Sequence, residues 1–336
     1  MSSIKKNIKI ATILPYKENY TFAKASAASL WVSEFYKKSK YNKTNHIYGH
    51  TKSKDYLTKN YFNIELSNIK SKFRSATREY ISKLVKKFKY QKYDLIEIHN
   101  RPIILEELIK KIKSRYIMYF HNDPLSMNGS KTINQRLNII SNVEKVIFVS
   151  EWAQKRFFVD LDDKLKTKTE VVYPSVRTKK RLSKKKNFIT FIGKLNRSKG
   201  YDLFAKVIVR ILDEFPMWEA YSLGDEERRD IYIKHKNHHE LGFLKHKDVL
   251  ELLDKTSISV VPSRWEEPFG RTALEASSRG CATIISNKGG LPETTNQAII
   301  LKNLNEEILY KQIRYLIRNS KRRKQIQIDS LNNVQH

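Results

Sequence analysis

Glu267 and Glu275 stand eight positions apart in EEPFGRTALE, residues 266–275, with a Pro, a Phe269-Gly270 pair and Arg271 between them. A carboxylate accepts two hydrogen bonds and so grips a vicinal diol. A helix beginning near Arg271 would aim free N–H groups and its positive dipole end at an anion. The set suits a molecule with hydroxyls at both ends and phosphate between, as in a nucleotide sugar. Each glutamate taken alone reads equally as a surface or helix-start charge. GKLNRSKG, residues 193–200, places Lys194, Arg197 and Lys199 between two glycines. At a strand end such a loop lets a phosphate approach the backbone among cations; otherwise it is a solvated basic loop. GGLPE, residues 289–293, sets two more glycines beyond another apolar run. In the first half, DLIEIHN and RYIMYFHND end in polar residues, giving His99, Asn100 and Arg101, then His121, Asn122 and Asp123.

These segments need elements to hold them. Apolar runs such as IKIATILPY, DLIEIHN, NFITFIGKL, SISVVPS and CATIIS alternate with stretches of helical spacing, the pattern of a parallel sheet with helices on both faces. The alternation occurs twice, and 336 residues exceed one ordinary core. The expectation is α/β: two doubly wound Rossmann-like domains facing a cleft, with ligands at the carboxyl ends of the strands. The boundaries read as 1–177 for an N-terminal acceptor-side domain, 178–187 for a basic linker containing TKKRLSKKK, 188–310 for a C-terminal nucleotide-sugar domain, and 311–336 for a basic helix that could pack back on the first domain. Residues 70–89 read as a basic amphipathic helix with Phe73, Ile81, Leu84, Val85 and Phe88 buried.

Composition bounds the rest. Lys and Arg total 65 against 35 acidic residues, a formal charge of +30. Biased base composition accounts for this as readily as an anionic partner does. The cations are dispersed and no nucleic-acid-binding motif is present, so nucleic acid is not the expected partner. No apolar run is long enough to span a bilayer, and the start does not read as a signal peptide, so the expected place is the cytoplasm. Cys281 is the only cysteine and reads as inert packing. His235, His238, His239 and His246 read as surface residues, and Asp160-Leu161-Asp162-Asp163 as a weak metal motif away from the rest.

Together, VPSRWEEPFGRTALEASSRGCATIISNKGGLPE, IGKLNRSKG, FVSEWAQKRF, VVYPSV and FHNDPLSM resemble segments of the family-4 (group 1) retaining glycosyltransferases of GT-B fold, the bacterial lipopolysaccharide and capsule type in particular. The resemblance is specific over 190–295 and weak before residue 90. It implies that Glu275 holds the ribose of a nucleotide-sugar donor. Glu267 would bind the transferred sugar, with backbone N–H groups of Phe269, Gly270 and Arg271. Lys199, Lys194 and Arg197 would meet the diphosphate, and His121 would lie beside the reacting sugar. His121, Glu267 and Lys199 are thus the expected catalytic residues, with Asn100, Arg101, Asn122 and Asp123 on the acceptor side. Four departures stand out: Lys194 replaces the usual Arg, Ser26 stands where Gly is usual, Cys281 replaces Pro, and the linker is unusually basic.

The mechanism so implied is front-face displacement at the donor's anomeric carbon, metal-independent and without a cofactor, the nucleoside diphosphate leaving among cations. The acceptor would be a glycan or lipid-linked saccharide in cell-surface polysaccharide synthesis, with peripheral binding to the inner face of an anionic membrane through helix 70–89. The alternatives are a non-catalytic basic polyanion-binding protein on the same scaffold and a sugar-nucleotide epimerase of the same fold.

Overall fold

The computed structural model describes residues 8–67, 75–227 and 230–333. The chain divides into two units, residues 1–173 and 174–336. The first holds a seven-stranded, wholly parallel sheet: β1 (Ile10–Ile13), β2 (Asn45–Gly49), β3 (Tyr61–Asn63), β4 (Leu95–His99), β5 (Arg115–Phe120), β6 (Lys145–Phe148) and β7 (Thr169–Val171). Its order is β3-β2-β1-β4-β5-β6-β7. The second holds a six-stranded parallel sheet: β8 (Phe188–Ile192), β9 (Glu219–Leu223), β10 (His238–Gly242), β11 (Ile258–Val261), β12 (Ala282–Ser286) and β13 (Ile299–Leu301), ordered β10-β9-β8-β11-β12-β13. Central strands such as IATI and ISVV are buried at every residue, because crossover helices cover both faces of a parallel sheet.

Each sheet reverses winding direction once, between β1 and β4 in the first and between β8 and β11 in the second. Loops diverge at such a point and leave a crevice beyond the strand ends. The loops carrying the candidate residues leave these strands or their immediate neighbours.

Helix starts follow local chemistry. Ser26 caps α1 (Ala27–Lys38), its hydroxyl accepting from Ser29 N–H, so the residue standing where Gly is usual works as a helix cap. Ser75 likewise caps α2 (Ala76–Tyr90), and Pro102 opens α3 (Pro102–Ile109). Thr132 and Gln135 form a capping box on α4 (Ile133–Asn142). The apolar stripe of α2, Tyr80, Ile81, Leu84, Val85 and Phe88, is packed into the first core. That face is therefore buried in the first core; the exposed face is mainly basic, with Tyr90 exposed at its end. Phe73 lies outside the described residues.

The basic stretch 178–187, expected as a linker, is docked on the second unit. Lys185 Nζ donates to Leu253 O at 3.0 Å and Arg279 O at 2.6 Å, at the carboxyl ends of α7 (His246–Lys255) and α8 (Arg271–Ser278). Lys179 pairs with Asp254 at 2.6 Å. Cations are favoured at helix C-termini, which draws the run onto this unit and moves the boundary ahead of it, to Tyr173. The expected single tail helix is two, α9 (Glu306–Arg318) and α10 (Ser320–Asn332), broken where Asn319 accepts from Arg322 N–H. Both pack within the second unit, α9 on α6 (Tyr201–Glu214) and α10 on α8 and β12.

Arg136 of α4 is 2% exposed, and its Nη1 donates to Phe157 O and Val159 O beyond α5 (Glu151–Phe157). Arg136→Met keeps the apolar stem but abandons both carbonyls. It should cost the first unit about 2–4 kcal/mol in urea unfolding.

Candidate functional site

In the second unit two strand-end loops are laced together at the switch point. Gly193–Gly200 follows β8 and Pro262–Gly270 follows β11. Arg264 and Trp265 N–H both donate to Ser198 O at 2.9 Å. Asn196 Oδ1 accepts from Lys199 N–H, and its Nδ2 donates to Glu226 at 2.7 Å. Lys199 Nζ thereby meets Glu267 Oε1 at 2.6 Å, with both side chains largely buried. Two expected donor-binding residues, 68 positions apart, form one ion pair. Arg197 is exposed and faces Asp230 at 3.4 Å; Lys194 is exposed, with no partner among the described residues.

The glycines serve two different purposes. A Cβ on Gly193 would find nothing nearer than 4.0 Å, so the backbone here is open to a ligand. On Gly200, in left-handed conformation at φ +74°, a Cβ would lie 1.9 Å from Pro262 O. Gly200 lets the two loops close on each other. Gly289, at φ +60°, likewise accommodates the Glu267 backbone, with Gly290 N–H donating to Glu267 O at 2.7 Å. The GGLPE loop thus holds the first glutamate in place.

Glu275 is buried in α8. Its Oε1 accepts from Arg271 Nε at 2.7 Å and lies 2.8 Å from His246 Nε2. Burial alone would raise this carboxyl; His246 and Arg271 outweigh it and hold the pKa below 4.5. His246, expected at the surface, is instead the second partner of a site residue, and His238 is half-buried against Ser222 Oγ at 2.9 Å. Helix α8 has no side-chain cap, its first turn resting on Phe269 and Gly270 at φ +110°. Cys281 is buried with its thiol raised to about 11 by burial, consistent with packing.

In the first unit the polar strand ends meet beyond β4 and β5. His99 Nδ1 and His121 Nε2 lie 2.8 Å apart, and Trp31 of α1 packs edgewise on both rings at 5.6 and 5.1 Å. Burial depresses both imidazoles, His121 to about 3, so the pair is neutral near pH 7. Asn100 Oδ1 accepts from His121 N–H at 2.8 Å. Asn100 and Arg101 are both left-handed, at φ 53° and 55°, a strain that non-glycine residues carry only where the surroundings enforce it. Asn100, Arg101 and Asn122 line one cavity of about 1010 Å³. Asp123 does not join them: Arg156 bridges both its oxygens at 3.1–3.3 Å, and Oδ1 also accepts from Leu125 N–H. The cavity instead includes Glu18, which the sequence reading passed over because no motif marks it. The acidic triplet serves local structure, Asp162 accepting from Lys164 N–H and Asp163 pairing with Lys166.

Residues 173–330 match the family model described as Glycosyl transferases group 1. Spore coat protein SA of Bacillus subtilis is 24% identical over 245 residues, 62% of this chain and 64% of that protein. An uncharacterized 41.2 kDa protein in the cps region of Klebsiella pneumoniae is 26% identical over 242 residues, 64% and 66% of the respective chains. The chain thus matches under two thirds of the length of each of these relatives. Anabaena HepE in complex with UDP-glucose superposes with TM-score 0.75 at 16% identity, over 97% of this chain and 94% of that one. WaaG, a glycosyltransferase involved in lipopolysaccharide biosynthesis, gives 0.66 at 12% identity over 97% and 95%. At these identities the likeness shows the fold, GT-B.

Glu275→Gln removes the charge facing Arg271 and His246 and should destabilise the second unit by about 3–5 kcal/mol at pH 7. Because the native pKa lies below 4.5, the deficit should shrink as pH falls from about 4.5 through that value, as thermal melts at several pH values would read. The histidines give a second pH dependence. Unfolded imidazoles protonate near pH 6.5 while His121 waits until about 3, so stability falls as pH drops between those values. The slope should be on the order of 1 kcal/mol per pH unit and should lessen in His121→Gln.

Proposed function

We propose, from the premise that the chain belongs through residues 173–330 to the group 1 glycosyl transferases, that it is a retaining glycosyltransferase using a nucleotide-sugar donor. The observation that carries the reading is the Lys199–Glu267 pair, set by laced loops at the switch point, with Glu275 on the adjoining helix. Glu275 takes the ribose diol, and Glu267 the hydroxyls of the sugar. Lys199, Lys194, Arg197 and the uncapped start of α8 face the diphosphate.

In the reaction the acceptor hydroxyl oxygen bonds to the anomeric carbon on the side that the leaving group departs from. The bond from that carbon to the diphosphate oxygen breaks, its electron pair leaving with the nucleoside diphosphate. The hydroxyl proton passes to the departing phosphate, so neither a metal nor a protein nucleophile is required. The protein supplies fixed positive charge where negative charge develops. On binding, the diphosphate draws Lys199 from Glu267, freeing that carboxylate for the sugar. Neutral His121 offers a hydrogen bond without competing for the anion.

The cps-region relative and the fold shared with WaaG support cell-surface polysaccharide or lipopolysaccharide synthesis as the setting, with a glycan or lipid-linked acceptor. The complexes of HepE with UDP and UDP-glucose make UDP-sugars the first donors to try. Among the described residues no helix is long and apolar enough to cross a membrane, and the exposed face of α2 is mainly basic. Any membrane contact on the cytoplasmic side is accordingly electrostatic and weakens with salt.

Calorimetry with UDP-, GDP-, ADP- and dTDP-sugars, without metal, tests the reading. One donor should bind, and Lys199→Ala should lower donor turnover about 10²- to 10³-fold while the protein stays folded. Folded protein that binds none of the four, but retains polyanions in a salt-dependent way, would replace this reading with the polyanion-binding one.

A further inference from the structure

The cavity of about 1010 Å³ in the first unit lies at that unit's own switch point, beyond β1 and β4, with Pro15 and Glu18 on one loop and Asn100 and Arg101 on the other. Its charge is not balanced. The ionisable groups along it are Arg78, Arg101 and Lys111 against Glu18 and Glu107. Lys111 and Glu107 pair with each other at 3.3 Å, which leaves two guanidinium groups facing one carboxylate. Burial raises the Glu18 pKa, and Ser26 and Arg101 oppose the shift. Arg78 has no side-chain partner among the described residues.

Neutral donors and helix ends add to the same field. Thr77 and Arg78 belong to the first turn of α2, and Ile103 to that of α3, so two helix starts meet the cavity. No side chain caps α3. Asn100 is 3% exposed; its Oδ1 is taken by His121 N–H, and its Nδ2 has no partner among the described residues. The strained Asn100-Arg101 turn is a backbone shape that the surroundings enforce at the cavity wall. Apolar walls from Ile81, Val85 and Met127 would lie against the carbon faces of a sugar ring.

We infer that this cavity takes a saccharide bearing a negative charge, with Arg78 and Arg101 holding a phosphate or carboxylate group and Glu18 accepting from a sugar hydroxyl. The inference deepens the transferase reading by naming the acceptor's chemical class. Arg101, whose guanidinium lies 5.7 Å from the centre of the Tyr16 ring, is held in place for a forked grip on an oxyanion. Arg78, on an exposed helix start, contributes a charge that can be removed without disturbing the core.

The test uses the full chain and four probes, namely glucose, glucuronic acid, glucose 6-phosphate and inorganic phosphate, in calorimetric titrations at low salt. UDP-glucose is titrated in the same preparations. At least one anionic sugar should bind tenfold or more tightly than glucose and more tightly than inorganic phosphate. Arg78→Ala should weaken that binding at least tenfold and leave UDP-glucose affinity unchanged. Which anionic sugar is preferred separates phosphate from carboxylate as the source of the charge. Glucose binding as well as both anionic sugars would overturn the inference. So would inorganic phosphate binding as tightly as the preferred sugar, an unaffected Arg78→Ala protein, or no binding of either anionic sugar. Anionic-sugar binding with no response to UDP-glucose or the other donors would leave the cavity standing and remove the transferase reading instead.

Discussion

Ser198 O accepts hydrogen bonds from both Arg264 and Trp265 N–H, and this backbone closure governs the geometry of the second unit's site. It holds the loop after β8 against the loop after β11, so a cation from one meets a carboxylate from the other. The closure requires a residue without a Cβ at position 200, because Pro262 O occupies that space. A third loop leans on the same structure, Gly289 and Gly290 fitting around the backbone of Glu267. Three strand-end loops thus act as one body.

The doubly wound pattern was legible because its central strands are continuous apolar runs separated by amphipathic stretches. Three of the edge strands were not. Tyr61–Asn63 and Ile299–Leu301 have three residues each, too few to show a period. His238–Gly242 is polar and incompletely buried, as an edge strand can be, and reads as loop. The basic run 178–187 looked like a linker for a sound reason, its lack of periodicity. What the pattern cannot display is a lysine reaching carbonyls at two helix ends 68 and 94 positions away.

The site shows the same division between local and distant information. Lys199, Glu267, Arg271 and Glu275 were found because they sit at fixed offsets within motifs. His246 was read as a surface residue because its connection to Glu275 spans 29 positions and leaves no trace in spacing. Glu18 was passed over for the same reason, its setting being made by Arg101 and by the cap residue Ser26. Asp123 was counted with its neighbours because it adjoins Asn122, yet Arg156 takes both of its oxygens. Adjacency in sequence at a strand end does not ensure a shared direction in space.

The two units arrange their cations in different ways, and burial explains the difference. In the second, Lys199 is already paired with a carboxylate, so little uncompensated charge exists there. In the first, the imidazoles of His99 and His121 are kept neutral by burial under Trp31, and the cavity is lined by Arg78 and Arg101, with Lys111 paired to Glu107. Arginine stays charged in such surroundings, while a buried histidine gives up its proton. The division lets a neutral hydrogen-bonding pair stand beside a cationic wall without mutual repulsion. It also shows why a formal charge of +30 is a poor guide to function. Most of those cations lie on solvated faces.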